Sequence, residues 1–143
     1  MSYSLAFTQS LYMLVYVTDK IQQGFFEFTP TAQISEDLNI PPSTARLILG
    51  RLSRASIIET KEGAGGGVRL AIPADELDLL MIFQAIEHGK AMFNTGVSLK
   101  VEGKKPTRAG QEIRQILNNA EQAMFDNLAT VKLSDMVESI NND

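Results

Sequence analysis

At 143 residues, with 44% hydrophobic and 21% charged side chains, the chain has material for one ordinary globular core. It contains no cysteine and a single histidine, His88, which excludes disulfides, thiolate metal sites and thiol nucleophiles. No apolar run approaches the roughly 20 residues of a membrane span, and the first 17 residues lack the basic-then-apolar order of a signal peptide. The expectation is a cytoplasmic protein without a cofactor.

The first helix is expected from about Ser4 to Gln23, with Leu5, Leu11, Leu14, Val15 and Val17 as its apolar residues and Gly24 as its stop. Phe25, Phe26 and Phe28 then read as a cluster that packs the returning chain into the core. Thr29-Pro30 reads as cap and first residue of a short helix to Leu38. Asn39-Ile40-Pro41-Pro42 breaks that helix and opens the next, because proline is tolerated only at a helix entrance. From Pro42 to about Ser56, Ala45, Ile48, Leu49 and Leu52 recur at i, i+3, i+4 and i+7 and form one apolar stripe. The remaining positions are mostly small or basic, and none is acidic.

Two short strands are expected next, Ile57–Thr60 and Val68–Ala71, joined by a tip that includes Gly63, Gly65, Gly66 and Gly67. Asp75 reads as the cap of a helix that reaches Glu87 and stops at Gly89, with His88 partly exposed at its end. The stretch from Lys90 to Pro106 lacks periodicity and is expected to be a loop, with at most a short strand near Val97–Val101. A long helix from about Thr107 to Thr130 carries Ile113, Ile116, Leu117, Ala120, Met124, Leu128 and Val131 on one face. Ser134 would cap a last short helix ending at Ile140.

The order helix, tight turn, helix, glycine-tipped hairpin is that of a winged helix-turn-helix. A helix that reads the major groove needs small polar residues near its start and arginine for bidentate contact with guanine or phosphate. Ser43, Thr44 and Arg46 fill those places, and apolar Leu47 can meet a thymine methyl. Arg51, Arg54, Lys61 and Arg69 suit phosphate contact, since long cationic side chains position a protein without reading sequence. Charge placement agrees. The net charge is −4, yet between Ile40 and Ile72 five cations face two carboxylates, whereas from Ala109 to Asp143 two cations face six. The glycine run fits no phosphate loop, because Val68 stands where a dinucleotide fingerprint needs glycine and no Gly-Lys-Ser/Thr follows. Glu36/Asp37 and Asp75/Glu76 read as solvated charge at helix ends, and no nucleophile elbow occurs. An enzyme is not expected.

The stretch Ile34-Ser35-Glu36-Asp37-Leu38-Asn39-Ile40-Pro41, then Ile48 to Ile58, Gly63 to Ala71 and Ile82 to Glu87 resembles the Rrf2 family of bacterial transcription regulators. The resemblance implies a dimer built on the long C-terminal helix, the helix from Pro42 in the major groove, and the wing at the minor groove. Three departures matter. Cluster-binding members carry three cysteines in the region matching Lys90–Pro106, and this chain has none. Glu62 stands where the wing commonly has arginine, and Val68 and Thr44 replace an aromatic and a tyrosine.

The sequence therefore points to a mainly α fold: a winged helix-turn-helix domain over residues 1–88, then a linker loop and helical dimerisation region over 89–143. The expected function is a sequence-specific transcription regulator, a homodimeric repressor on a palindromic operator in double-stranded DNA, with an effector that the sequence does not name. Ile113, Ile116, Leu117, Ala120 and Met124 are the expected dimer interface, and no metal is expected. The alternative is a winged-helix dimer that has lost DNA binding and serves as a protein-interaction module.

Overall fold

The computed structural model describes residues 4–142. Six helices and a two-stranded hairpin follow one another as α1 (Leu5–Gln22), α2 (Thr31–Asp37), α3 (Pro42–Arg54), β1 (Ile58–Lys61), β2 (Gly67–Leu70), α4 (Leu79–Glu87), α5 (Lys104–Leu128) and α6 (Leu133–Asn141). The fold is mainly helical with a two-strand wing and a long C-terminal helix, α5.

Helix α1 buries Ser10, Met13, Leu14, Val17 and Thr18. Their spacing is i, i+3, i+4, i+7, i+8, so the core face is rotated from the one expected on Leu5 and Leu11, and Leu5 lies exposed. The two polar members are tolerated because they bond back within the helix, Ser10 Oγ to the Phe7 carbonyl at 2.6 Å and Thr18 Oγ1 to the Leu14 carbonyl at 2.7 Å. Gly24 stops the helix as expected. It takes φ +82°, and the Gly24 and Phe25 amides donate to the Ile21 and Lys20 carbonyls.

Thr29-Pro30 departs from its expectation. The first helical residue is Thr31, and Pro30 holds the cap position. Thr29 instead pairs with Val68, each amide donating to the other's carbonyl at 2.8 and 2.9 Å, and so adds one residue of a third strand to the wing. A β-bridge satisfies both backbone groups of Thr29, which a cap would not. The aromatic cluster also stays out of the core: Phe25 is exposed, and Phe26 and Phe28 are half-buried.

Helix α3 seals the core with Ala45, Ile48, Leu49 and Leu52. It ends where Ser56 turns left-handed at φ +61° and the Ile57 amide donates to the Leu52 carbonyl at 3.0 Å. β1 and β2 pair antiparallel, Ile58 opposite Leu70 and Lys61 opposite Gly67. Gly67 is fixed by this geometry: its φ is +147°, and a Cβ there would sit 2.1 Å from the Thr29 carbonyl oxygen.

Three further expectations shift. Asp75 lies in a 3-10 turn, Ala74–Glu76, and the cap of α4 is Asp78, whose carboxylate accepts from the Met81 amide at 2.9 Å. α6 starts at Leu133, and Asp135 accepts from the Lys132 amide at 2.9 Å, so Ser134 is inside the helix rather than its cap. Val97–Val101 forms no strand; Val97, Leu99 and Val101 are exposed, and no neighbouring strand among the described residues offers them a ladder. The chain ends by returning to its first half. Leu133 and Val137 of α6 join the core of the winged domain, and the Leu133 amide donates to the Leu77 carbonyl at 2.8 Å. No helix among the described residues is long and apolar enough to cross a membrane.

Candidate nucleic-acid interface

The turn between α2 and α3 sets the reading helix. Asn39 adopts φ +52°, the Ile40 amide donates to the Ser35 carbonyl at 3.0 Å, and buried Ser35 Oγ donates to the Ile40 carbonyl. With both ends of the turn tied, Pro41 and Pro42 enter α3 without losing a helical hydrogen bond. Helix α2 is in turn tied to α1: the Tyr16 hydroxyl donates to Asp37, which also accepts from Gln33 at 3.0 Å. Burial, then the bond to Asp37, pushes the Tyr16 hydroxyl up to about 12. The Tyr16 bond holds the Asp37 carboxyl below its ordinary value.

Because one face of α3 is buried, the rest must face outward. Ser43, Leu47, Gly50 and Arg54 recur at i, i+4, i+7 and i+11 and form the outward stripe. Ser43, Leu47 and Arg54 are exposed, Leu47 at 53%. Arg46 is exposed on one flank of this stripe. Thr44 and Arg51 share the other flank and are half-buried. Gly50 carries no chemistry that would mark it in the sequence, yet its lack of a side chain lets the Arg54 guanidinium lie back over it, with Nη1 3.5 Å from where a Cβ would stand.

The expected phosphate contacts do not share one state. Arg54 and Lys61 are exposed. Arg51 donates from Nη1 to the Ile86 carbonyl at 3.0 Å and so binds α3 to α4. Arg69 is held by Glu59 across the hairpin and by Glu27 at 3.5 Å, and its guanidinium lies 4.2 Å from the centre of the Phe28 ring. Lys61 Nζ approaches the same ring at 5.7 Å. Phe28 is thus a platform for the wing's two cations, a role that its place in an aromatic run does not reveal. Glu62 is exposed beside Lys61.

The residues expected at a dimer interface lie on α5, which buries none of its 25 residues. Ile113 and Ile116 are 54% and 56% exposed, Ala120 is exposed, and Leu117 and Met124 are half-buried. α5 touches the rest of the chain through Phe125, which packs on Phe83 at 5.7 Å, and through Glu121, which accepts from the Met92 amide at 2.7 Å.

Comparison with known proteins places this geometry. Residues 3–139 match the model of the Rrf2 family, described as an iron-dependent transcriptional regulator. A helix-turn-helix-type transcriptional regulator of Neisseria meningitidis serogroup A is 29% identical over 109 residues, 76% of this chain and 71% of the relative. The regulator IscR of Cereibacter sphaeroides is 25% identical over 134 residues, 92% of this chain and 86% of the relative. Among solved structures, T. potens IscR superposes with a TM-score of 0.73 at 14% identity, over 99% of this chain and 89% of that one. CymR, the global cysteine regulator of B. subtilis, superposes with a TM-score of 0.64 at 17% identity, over 97% and 98%. These structural likenesses bear on the fold. The iron in the family's description does not fit this chain's donor set: the sequence has no cysteine, and no group of three His, Asp or Glu among the described residues is placed to hold a metal.

Proposed function

The chain belongs to the Rrf2 family of helix-turn-helix transcriptional regulators, and we propose that it works as a homodimeric repressor, occluding a two-fold symmetric operator that it reads with α3. The observation that carries this reading is the outward face of α3. Ser43, Arg46, Leu47 and Arg54 are exposed together, no carboxylate stands among them, and the helix is seated by a fully buried opposite face. Ser43, Thr44 and Arg46 are assigned to base edges and Leu47 to a thymine methyl. Arg54 and Lys61 are assigned to phosphates. Arg51 and Arg69 are better placed as supports, because each is already bonded within the chain. The uncovered stripe of α5 supports the dimer, since two copies related by a two-fold axis cover each other's stripes.

The test separates reading from holding. Arg46→Ala should lose roughly 1–3 kcal/mol per half-site and relax the preference at one base position. Lys61→Ala should weaken all duplexes about equally and lower the salt slope by about 0.9 for each lost phosphate contact. Both are measured against a selected genomic site and a scrambled duplex across a salt series. A second reading, an interaction module without DNA binding, draws on the neutralised wing, where Arg69 is paired and Glu62 adjoins Lys61. It prevails if neither variant differs from the parent protein.

A further inference from the structure

A cleft of about 930 Å³ opens between the C-terminal ends of α3 and α4, meeting the outward stripe of α3 at its last member, Arg54. Its apolar wall is made by Ala55, Ile57, Met81 and Ala85. Its polar wall carries Arg51, Arg54 and Lys90 against a single carboxylate, Glu87. That carboxylate is already matched. Glu87 is buried, accepts from the Ser4 hydroxyl at 3.0 Å, and has Lys90 Nζ at 4.0 Å. Neither arginine has an ion-pair partner among the described residues. Arg51 gives one N–H to the Ile86 carbonyl, which orients the guanidinium while leaving its other donors available.

We propose that this cleft binds a small organic anion, a carboxylate or phosphate monoester carried on an apolar body. Two arginines one turn apart offer forked donors to the anion, and the aliphatic wall takes the body. The volume lies within the roughly 300–1,000 Å³ usual for small-molecule sites. Both arginines belong to α3, so occupancy acts on the helix assigned to DNA. Arg54 would be shared between ligand and duplex phosphate, and Arg51 would carry the ligand's hold across to α4. Only this regulatory consequence rests on the DNA-binding reading. The binding itself does not.

The experiment is a calorimetric titration of the full chain, without DNA, using phenyl phosphate, benzoate and inorganic phosphate as probes. Phenyl phosphate or benzoate should saturate with a Kd below about 1 mM, a modest affinity for a charged and apolar fragment. Inorganic phosphate, lacking an apolar body, should bind at least about tenfold more weakly. Arg54→Gln, at an exposed position that leaves the core untouched, should weaken the organic probe about tenfold, as should Arg51→Gln. Arg114→Gln on α5 makes the same charge change outside the cleft and should keep the parent affinity. No saturable binding of either organic probe, equal affinity for inorganic phosphate, or equal weakening by Arg114→Gln would overturn the proposal. Since no duplex is present, these failures leave the DNA-binding reading standing. Conversely, an Arg46→Ala protein that binds DNA like its parent says nothing against the cleft.

Discussion

Helices α3 and α5 carry apolar stripes of the same spacing and meet opposite fates. In α3, Ala45, Ile48, Leu49 and Leu52 stand at i, i+3, i+4 and i+7, and all four are buried. In α5, Ile113, Ile116, Leu117 and Ala120 repeat that spacing, and none is buried. Periodicity says which face of a helix is apolar, but not which surface covers it. For α3 the cover comes from α1, α2, α4 and β1 of the same chain. For α5 most of it is left open, with Phe125 on α4 as its apolar attachment. The lesson is that α3 is covered by its own chain, whereas the α5 stripe has no such cover, and the proposed dimer would supply it from a second copy.

Substitution at matched positions is the strongest way to break this comparison. Ile48→Ala removes a fully buried side chain and should lower unfolding stability by about 2–5 kcal/mol, independent of protein concentration. Ile116→Asp places a carboxylate in the open stripe of α5 and should leave the winged domain folded while abolishing the dimer. In denaturant melts, the parent protein should then gain apparent stability with concentration, by about 2.7 kcal/mol when the protein stands 100-fold above its dissociation constant. The variant should gain none and should sediment as a monomer. If Ile116→Asp unfolds the chain at every concentration, the α5 stripe has an intramolecular role and the contrast with α3 disappears.

Much of this fold is legible in the residues themselves. The α3 stripe, the hairpin and the long helix α5 follow from hydrophobic spacing, proline and glycine alone. What escapes such reading depends on contacts between distant residues. Thr29 has the chemistry of a cap, but Val68 offers both its amide and its carbonyl, and a bridge satisfies more backbone. Asp75 and Asp78 are equally good caps by residue type; the tie of Leu79 to Val131 at 3.0 Å starts α4 after Asp78. Within the candidate site, Ser43, Arg46 and Leu47 are readable because a helix with one buried face must expose the other. The engagement of Arg51 with Ile86 and of Arg69 with Glu27, Glu59 and Phe28 is not readable, since these partners lie up to 42 residues away in sequence.

The smallest expected effect sharpens the comparison by asking what seats α3 beyond its apolar face. Helix α2, its partner in the turn, is bonded to α1 through Tyr16 and Asp37, and α3 inherits that orientation through the tied residues Ser35 and Ile40. The pH dependence of this link has a definite sign on each side. The Tyr16 hydroxyl titrates at about 12 in the folded chain against 10.0 in the free side chain. Its contribution is therefore fully present below pH 10 and declines as pH rises through about 12, because the unfolded chain releases that proton first. The Asp37 carboxyl is held below its ordinary value by Tyr16 first and Gln33 second. Its contribution is present above the ordinary carboxylate range and is lost as pH falls through the lowered folded value. Tyr16→Phe removes the first group and the larger support of the second. The difference in stability between parent and variant should be flat across neutral pH and shrink at both extremes, with the alkaline fall lying between pH 10 and about 12. Subtracting the two curves cancels the lysines, which titrate in the same alkaline window. A difference that stays constant to pH 12 would mean that α1 does not hold α2 through this bond, and that the apolar face alone seats α3.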